Sequence, residues 1–339
     1  MLQESAKDAV VDLSCCAVRV ECDPGVWHAA SRLAGLVAYG YEITGALERP
    51  ELSDRHIKTR MGLDSCRSHC RSTPERLTSQ PAERMKLKIL ITGIGGTIGS
   101  VIADALSDQH EVTGIDIRPV GRDGVSVADL TDIDAITPLF EGVDAVIHLA
   151  AERRHTPDIG WDLLLPTNVV ATANVYDAAH AAGVRRFVFA SSMHVAGNYE
   201  SDEPWASIAA GRYEGLDPEN VPLVTADMPA RPDGRYAATK QLGESLGRYY
   251  SDCEGMEVVC VRLGTIADSD AIGDDPRGYV SWFSHSDLAG FFTACVEAPD
   301  IKFEIVYGAS ANTWKIYDTP SGWNALGFTP SDNAEDHRR

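Results

Sequence analysis

Residues 89–100 read ILITGIGGTIGS, a near-continuous apolar run that breaks into glycines at positions 93, 95, 96 and 99. A chain can pass this sharply from a buried strand into a helix only where side chains are missing, so Gly93-x-x-Gly96-x-x-Gly99 restricts the fold more than any other stretch. Gly93 permits the tight turn, Gly96 lets backbone approach a pyrophosphate, and Gly99 lets helix lie close on strand. The first helical turn, which contains Thr97 and Ile98, then faces the phosphates with its N-terminal dipole. Three glycines alone carry little weight. Here a second strand ends at Asp116, 17 residues beyond Gly99, where a carboxylate can bind both hydroxyls of an adenosine ribose. That carboxylate repels a 2′-phosphate and predicts NAD over NADP. Arg118, two residues on, leaves NADP as the lesser alternative or is a solvated loop charge.

From Met85 onward, apolar stretches alternate with helical patterns. LKILIT, EVTGID, DAVIHLA, RRFVFAS, EVVCVRL and FEIVYG read as strands, with helices near 97–107, 132–140, 161–182, 236–251 and 285–297. Strands that are apolar along their whole length, separated by helices, predict a parallel sheet covered on both faces, hence a doubly wound α/β fold. The segment 197–235, rich in Gly, Pro, Asp and Glu, is too long for a plain connection and is expected to fold over the substrate as a lid.

Residues 1–84 have a different character. They carry 11 Lys+Arg against 12 Asp+Glu, whereas residues 85–339 carry 19 against 38, so the net charge of −20 belongs to the second part. Such a surface repels nucleic acid and anionic membranes. Five of the eight cysteines lie before residue 85; the three that follow are scattered, as expected in a reducing compartment. The acidic start lacks a signal-peptide layout, and the most apolar early stretch contains Arg32 and Glu42, so a cytoplasmic protein is expected. Residues 50–84 read as linker or disorder, and the abrupt MKLKILITG makes Met85 a candidate for the true start. The rival reading is a small metal-binding extension around CRSHC, whose spacing matches no standard zinc pattern. No residue is assigned as a metal ligand.

The stretch GRYAATKQLGESL places Tyr236 and Lys240 four apart on a helix, hence on one face. A phenol ionises near pH 10 and is a poor base at neutrality, but a neighbouring ammonium favours the phenolate and is expected to pull it toward working pH. The strand in FVFASSMHVAG delivers Ser191 and Ser192 to the carboxyl edge of the sheet, where ligands bind in open α/β folds.

With these residues in view, the chain from 85 onward resembles the extended short-chain dehydrogenases/reductases: glycine turn, Asp116, Asp129-Leu130, HLAA at 148–151, Asn168, Ser192, Tyr236 and Lys240. ARPDGRYAATK, WFSHSDL, YGASAN, LGFTPSDNAE and the terminal RR resemble uronate dehydrogenases in particular, and the related haloarchaeal NAD-dependent glucose-6-phosphate dehydrogenases. The resemblance implies a Rossmann-type doubly wound parallel sheet over 85–335, with a small carboxyl-terminal substrate-binding portion and substrate-binding elements at 193–235 and 265–335. It implies NAD held by Gly93, Gly96, Thr97, Ile98, Gly99, Asp116, Asp129, Leu130, Leu149, Ala150, Ala151, Asn168, Ser191, Tyr236, Lys240 and Leu263. Ser192 would orient the reacting oxygen, Tyr236 move its proton and Lys240 tune Tyr236. A homo-oligomer is common in such families.

The substrate side is less uniform. Arg277, five residues before Trp282, matches the arginine that binds the carboxylate in uronate dehydrogenases; its fork suits carboxylate or phosphate, and a plain salt bridge is the alternative. Arg153, flanked by Arg154 and His155, stands where those enzymes have a small hydroxyl residue, and suits a phosphorylated substrate or an exposed loop equally. Met193 replaces their asparagine and cannot donate its hydrogen bond. His194 matches, as a hydroxyl contact or a structural histidine; Thr265 sits at another strand end; His285 after Ser284 reads mainly as a helix start. The expected activity is NAD-dependent oxidation of the C1 hydroxyl of an anionic sugar to a lactone. The alternatives are a nucleotide-sugar epimerase or dehydratase, which recycles its coenzyme, and a non-catalytic NAD(P)-sensing protein.

Overall fold

The computed structural model describes residues 86–338, and before them only two short antiparallel strands, Val10–Val11 and Val18–Arg19. The expectations for residues 1–84 otherwise lie outside the described residues.

Seven strands form one parallel sheet: β1 (Lys88–Thr92), β2 (Glu111–Asp116), β3 (Val125–Val127), β4 (Ala145–His148), β5 (Arg186–Ser192), β6 (Glu257–Leu263) and β7 (Phe303–Gly308), in the order β3-β2-β1-β4-β5-β6-β7. Strand order reverses between β1 and β4, and the crevice at such a switch point is where ligands bind in doubly wound folds. The six strands expected from sequence are present; β3, three residues long and only partly buried, is too brief to leave an apolar run.

Alternation along the strands explains why both faces are covered. Ile89, Ile91, Ala145, Ile147, Val188, Ala190, Val259 and Val261 turn to one core. Leu90, Val146, Phe187, Phe189, Val258 and Cys260 turn to the other. Helices α1 (Thr97–Ser107) and α4 (His285–Glu297) supply Ile102, Leu106, Phe291 and Phe292 to the first. Helices α2 (Ala171–Ala181) and α3 (Arg235–Glu254) supply Val175, Tyr176 and Tyr250 to the second. Gly243 lets α3 press onto the sheet, because a Cβ there would fall 2.2 Å from the Phe189 ring.

Behind the carboxyl edge lies a buried ionic knot. Arg262 on β6 donates twice to Glu244 on α3, at 2.8 Å each, and once to the Tyr307 hydroxyl at 2.9 Å, while Ser191 Oγ donates to Glu244 at 2.5 Å. The knot ties β5, β6 and β7 to α3 and holds the helix that carries Tyr236 and Lys240 in register with the strand that carries Ser192.

The segment 197–235 has a core of its own. It contains a helix, Trp205–Ala209, and a bridge from Val224 to Tyr317. A third core joins Met193, Tyr199, Ile208 and Val224 to Val280, Tyr307, Ile316 and Tyr317. Apolar residues spaced through a Gly/Pro-rich stretch, without helical or strand period, gave no sign of that packing. No helix among the described residues is long and apolar enough to cross a membrane.

Candidate active site

At the switch point a cleft of about 910 Å³ opens. Gly93 leaves β1 with φ +71° and donates its N–H to the Ile115 carbonyl at 2.8 Å; a Cβ on it would stand 2.9 Å from the Ala150 backbone. A Cβ on Gly99 would fall 2.5 Å from the Gly93 carbonyl oxygen, so α1 rests directly on the turn. Gly96 caps α1 with no side-chain acceptor and no acidic residue in the first turn, which leaves the positive helix end for an incoming anion. Asp116 is buried at the end of β2. Its Oδ2 accepts the Gly95 N–H at 3.0 Å and its Oδ1 accepts the Arg118 N–H at 3.1 Å, so the carboxylate also braces the glycine turn. Gly95, absent from the sequence assignment, earns its place there: a Cβ on it would meet Val120 at 2.6 Å.

Gly93, Gly96, Thr97, Ile98, Gly99, Asp116, Asp129, Leu130, Leu149, Ala150, Ala151, Ser191, Tyr236, Lys240 and Leu263 all line this cleft, as do Arg153, Ser192, His194 and Thr265. An elongated cleft with an uncapped helix end, glycines where a Cβ would collide, and a carboxylate at the second strand fits a dinucleotide. Asp268 lines it too and accepts a hydrogen bond from the Thr97 hydroxyl. Asn168 does not line it. The amide is buried and clasps both backbone groups of Glu152, at 2.8 and 3.0 Å, and reaches Thr239 on α3 at 3.1 Å, so it positions the loop and the helix. His148 is fully buried between Thr92 (2.7 Å) and Thr172 (3.0 Å); burial, then the charge of Lys240, pushes its imidazole down to about 3, so it is a neutral strut.

Tyr236 and Lys240 project from the start of α3 toward Ser192. Lys240 Nζ donates to the Ala190 carbonyl at 2.8 Å and lies 5.0 Å from the Phe189 ring centre and 5.8 Å from that of Tyr236. Burial dominates the electrostatics of this pair: it pushes Tyr236 up to about 12, against a hydrogen bond from Ser192 and the charge of Arg153, and it pushes Lys240 down to about 7.

The substrate side holds two further corrections. Met193 is buried in the third core and does not line the cleft; its side chain packs where a polar contact was considered. Arg277 does not line the cleft either. Its guanidinium forks onto Glu200 at 2.7 and 2.9 Å, and the same carboxylate accepts the Tyr317 hydroxyl at 2.6 Å. Glu200 lies 77 residues away, so no local pattern announced it. Arg153 faces the cleft, whereas Arg154 is spent on Glu152. His194 Nδ1 lies 2.6 Å from Asp233, an acid the sequence reading passed over although it stands three residues before Tyr236. Thr265 Oγ1 pairs with Ser281 at 2.8 Å. Ser284 caps α4 through the Asp287 N–H, and His285 contacts the Ala267 carbonyl at 2.8 Å.

The lowered Lys240 gives a pH signature. Its folded pKa of about 7 lies below its ordinary value of 10.5, so the unfolded chain binds the extra proton between those limits and stability rises with pH across them. Lys240→Met removes that slope. Denaturant unfolding at pH 6 to 9 is expected to show the variant gaining most over wild type at pH 6, with the gap shrinking toward pH 9; parallel curves would contradict the lowered value.

The comparisons agree with this geometry. Residues 89–270 match the model of the NAD dependent epimerase/dehydratase family. The chain is 35% identical over 260 residues to the NAD-dependent glucose-6-phosphate dehydrogenase of Haloferax volcanii, covering 74% of this chain and 95% of that protein. It is 34% identical over 260 residues to the uronate dehydrogenase of Agrobacterium fabrum, covering 74% and 87%. Among solved structures it is similar to uronate dehydrogenase from Agrobacterium tumefaciens in a complex with NAD, at 31% identity and TM-score 0.61, over 74% of this chain and 87% of that one. The chain belongs to the NAD dependent epimerase/dehydratase family.

Proposed function

We propose that this protein oxidises the C1 hydroxyl of an anionic sugar, a uronate or a sugar phosphate, to the lactone with NAD as acceptor. The reading is carried by one observation: Ser192, Tyr236 and Lys240 meet in the same cleft as the glycine turn and Asp116. The relatives support it, being named for glucose 6-phosphate and uronate oxidation with NAD. A third, 36% identical over 258 residues, is an L-arabinose 1-dehydrogenase of the same archaeon, so the site type also accommodates a neutral aldose.

When bound, NAD supplies the hydride acceptor. The rest of the chemistry belongs to side chains. Ser192 holds the C1 oxygen; Tyr236 Oη takes the hydroxyl proton as the C1–H bond releases its electron pair as hydride; carbon and oxygen become the lactone carbonyl. Lys240, pinned to Ala190, fixes the orientation of α3 beneath the phenol and would hydrogen-bond the coenzyme ribose. Asp116 would hold the hydroxyls of the adenosine ribose, and the Gly93–Gly99 turn would hold the pyrophosphate. The substrate's acid group meets Arg153 at the cleft, because the fork of Arg277 already carries Glu200. Segments 193–235 and 265–335 enclose the sugar. A homo-oligomer is the proposed assembly.

Two measurements test this. Absorbance of NADH with glucuronate, galacturonate, glucose 6-phosphate and free aldoses is expected to rise stoichiometrically with an anionic sugar, and Tyr236→Phe to lower kcat at least about a thousandfold with little change in NAD affinity. Tight NAD binding without net NADH on any sugar would return the epimerase and sensor readings. Arg153→Ala is expected to raise KM for a uronate about tenfold relative to a neutral aldose; an unchanged ratio would place Arg153 outside substrate recognition.

A further inference from the structure

Beside Tyr236, on the side opened by a cavity of about 270 Å³, three donors from three separate segments converge. His155 belongs to the loop after β4, His194 follows β5, and Asp233 precedes α3. Ligand atoms of the three lie within 4.8 Å of one another. The imidazoles stack with centres 4.1 Å apart and planes at 15°, and Asp233 faces both: Oδ2 is 2.6 Å from His194 Nδ1 and Oδ1 is 2.9 Å from His155 Nε2.

The second contact is close but misdirected. His155 Nε2 and Asp233 Oδ1 are both shut off from solvent, and neither has a hydrogen-bond partner of acceptable geometry. Buried polar atoms without partners are costly, and an ion ligated by both from one side would satisfy them. The surrounding backbone is shaped around these atoms. A Cβ on Gly234 would fall 2.6 Å from His155 Nε2, and one on Gly197 would fall 2.0 Å from Asp233 Oδ2.

We infer that His155, His194 and Asp233 form a site for a divalent transition-metal ion of the zinc class, which blocks sugar oxidation by taking His194 away from the substrate. Two imidazoles and one carboxylate are a nitrogen-rich set that suits Zn²⁺, Co²⁺ or Ni²⁺ rather than Mg²⁺ or Ca²⁺. Three protein ligands leave a fourth position for water, which the adjacent cavity can hold. No sequence spacing could announce such a site, since its ligands stand 39 and 78 residues apart. Metal binding is measured without turnover and so stands or falls apart from the proposed reaction, whereas the inhibition rests on that reaction.

The test uses the full chain, stripped with chelator and titrated with ZnCl₂ by calorimetry and with CoCl₂ by absorbance. Wild type is expected to give visible cobalt bands of a nitrogen/oxygen set without strong thiolate charge transfer, which separates this site from the amino-terminal cysteines. His155→Ala is expected to weaken the zinc isotherm about tenfold or more, and His180→Ala to leave it unchanged. Zinc added to wild type should inhibit competitively with the sugar, and His155→Ala should relieve that inhibition. A thiolate-dominated spectrum, equal zinc affinity in wild type and His155→Ala, or no binding in wild type at micromolar metal would overturn the proposal.

Discussion

The hydrogen bond from Lys240 to the Ala190 carbonyl is the contact on which the arrangement of this site depends. It joins the first turns of α3 to the last turn-out of β5, so that Tyr236 and Ser192, 44 residues apart in the chain, share one corner of the cleft. An ammonium buried among Phe189, Tyr236 and backbone is unfavourable in itself, which is why it is held well below its ordinary value. One turn further along the same helix, the Arg262–Glu244 knot, in which every charged atom has partners, holds α3 against β5 and β6. Stability is thus invested next to the functional end of α3, while the functional end keeps the strained electrostatics that chemistry requires.

Much of the architecture was legible because strands buried on both faces write themselves as unbroken apolar runs, and the glycine turn is a local necessity. Gly93, Gly99 and Asp116 could be placed from their spacing alone. β3 could not, being three residues long, and neither could the third core, whose apolar residues are scattered between prolines and glycines without a period. The same division holds in the site. Ser192, Tyr236 and Lys240 sit on regular elements whose geometry follows from sequence. Glu200 and Asp233 matter through contacts closed by the tertiary fold, and a single chain shows no trace of such pairings in advance. Met193 illustrates the reverse error: its position in a motif placed it at the substrate, but its apolar side chain turned to the core beneath.

The electrostatics recast the catalytic pair. Before coenzyme and sugar arrive, burial keeps the proton on Tyr236 and favours loss of the proton from Lys240. Under the proposed function, the positive charge of an oxidised coenzyme entering the cleft would favour the phenolate of Tyr236. Arg118 and Arg153 both line the cleft, in a part of the chain whose net charge is strongly negative.

Ultraviolet difference titration of the phenol, wild type minus Tyr236→Phe, measured with and without saturating NAD, tests the central claim most directly. Without NAD, Tyr236 should ionise well above an ordinary tyrosine, near 12; with NAD it should ionise at least about two units lower, because a fixed positive charge close to a buried phenol favours its anion. A phenol that titrates near 10 in both states, or is unmoved by NAD, would contradict the account.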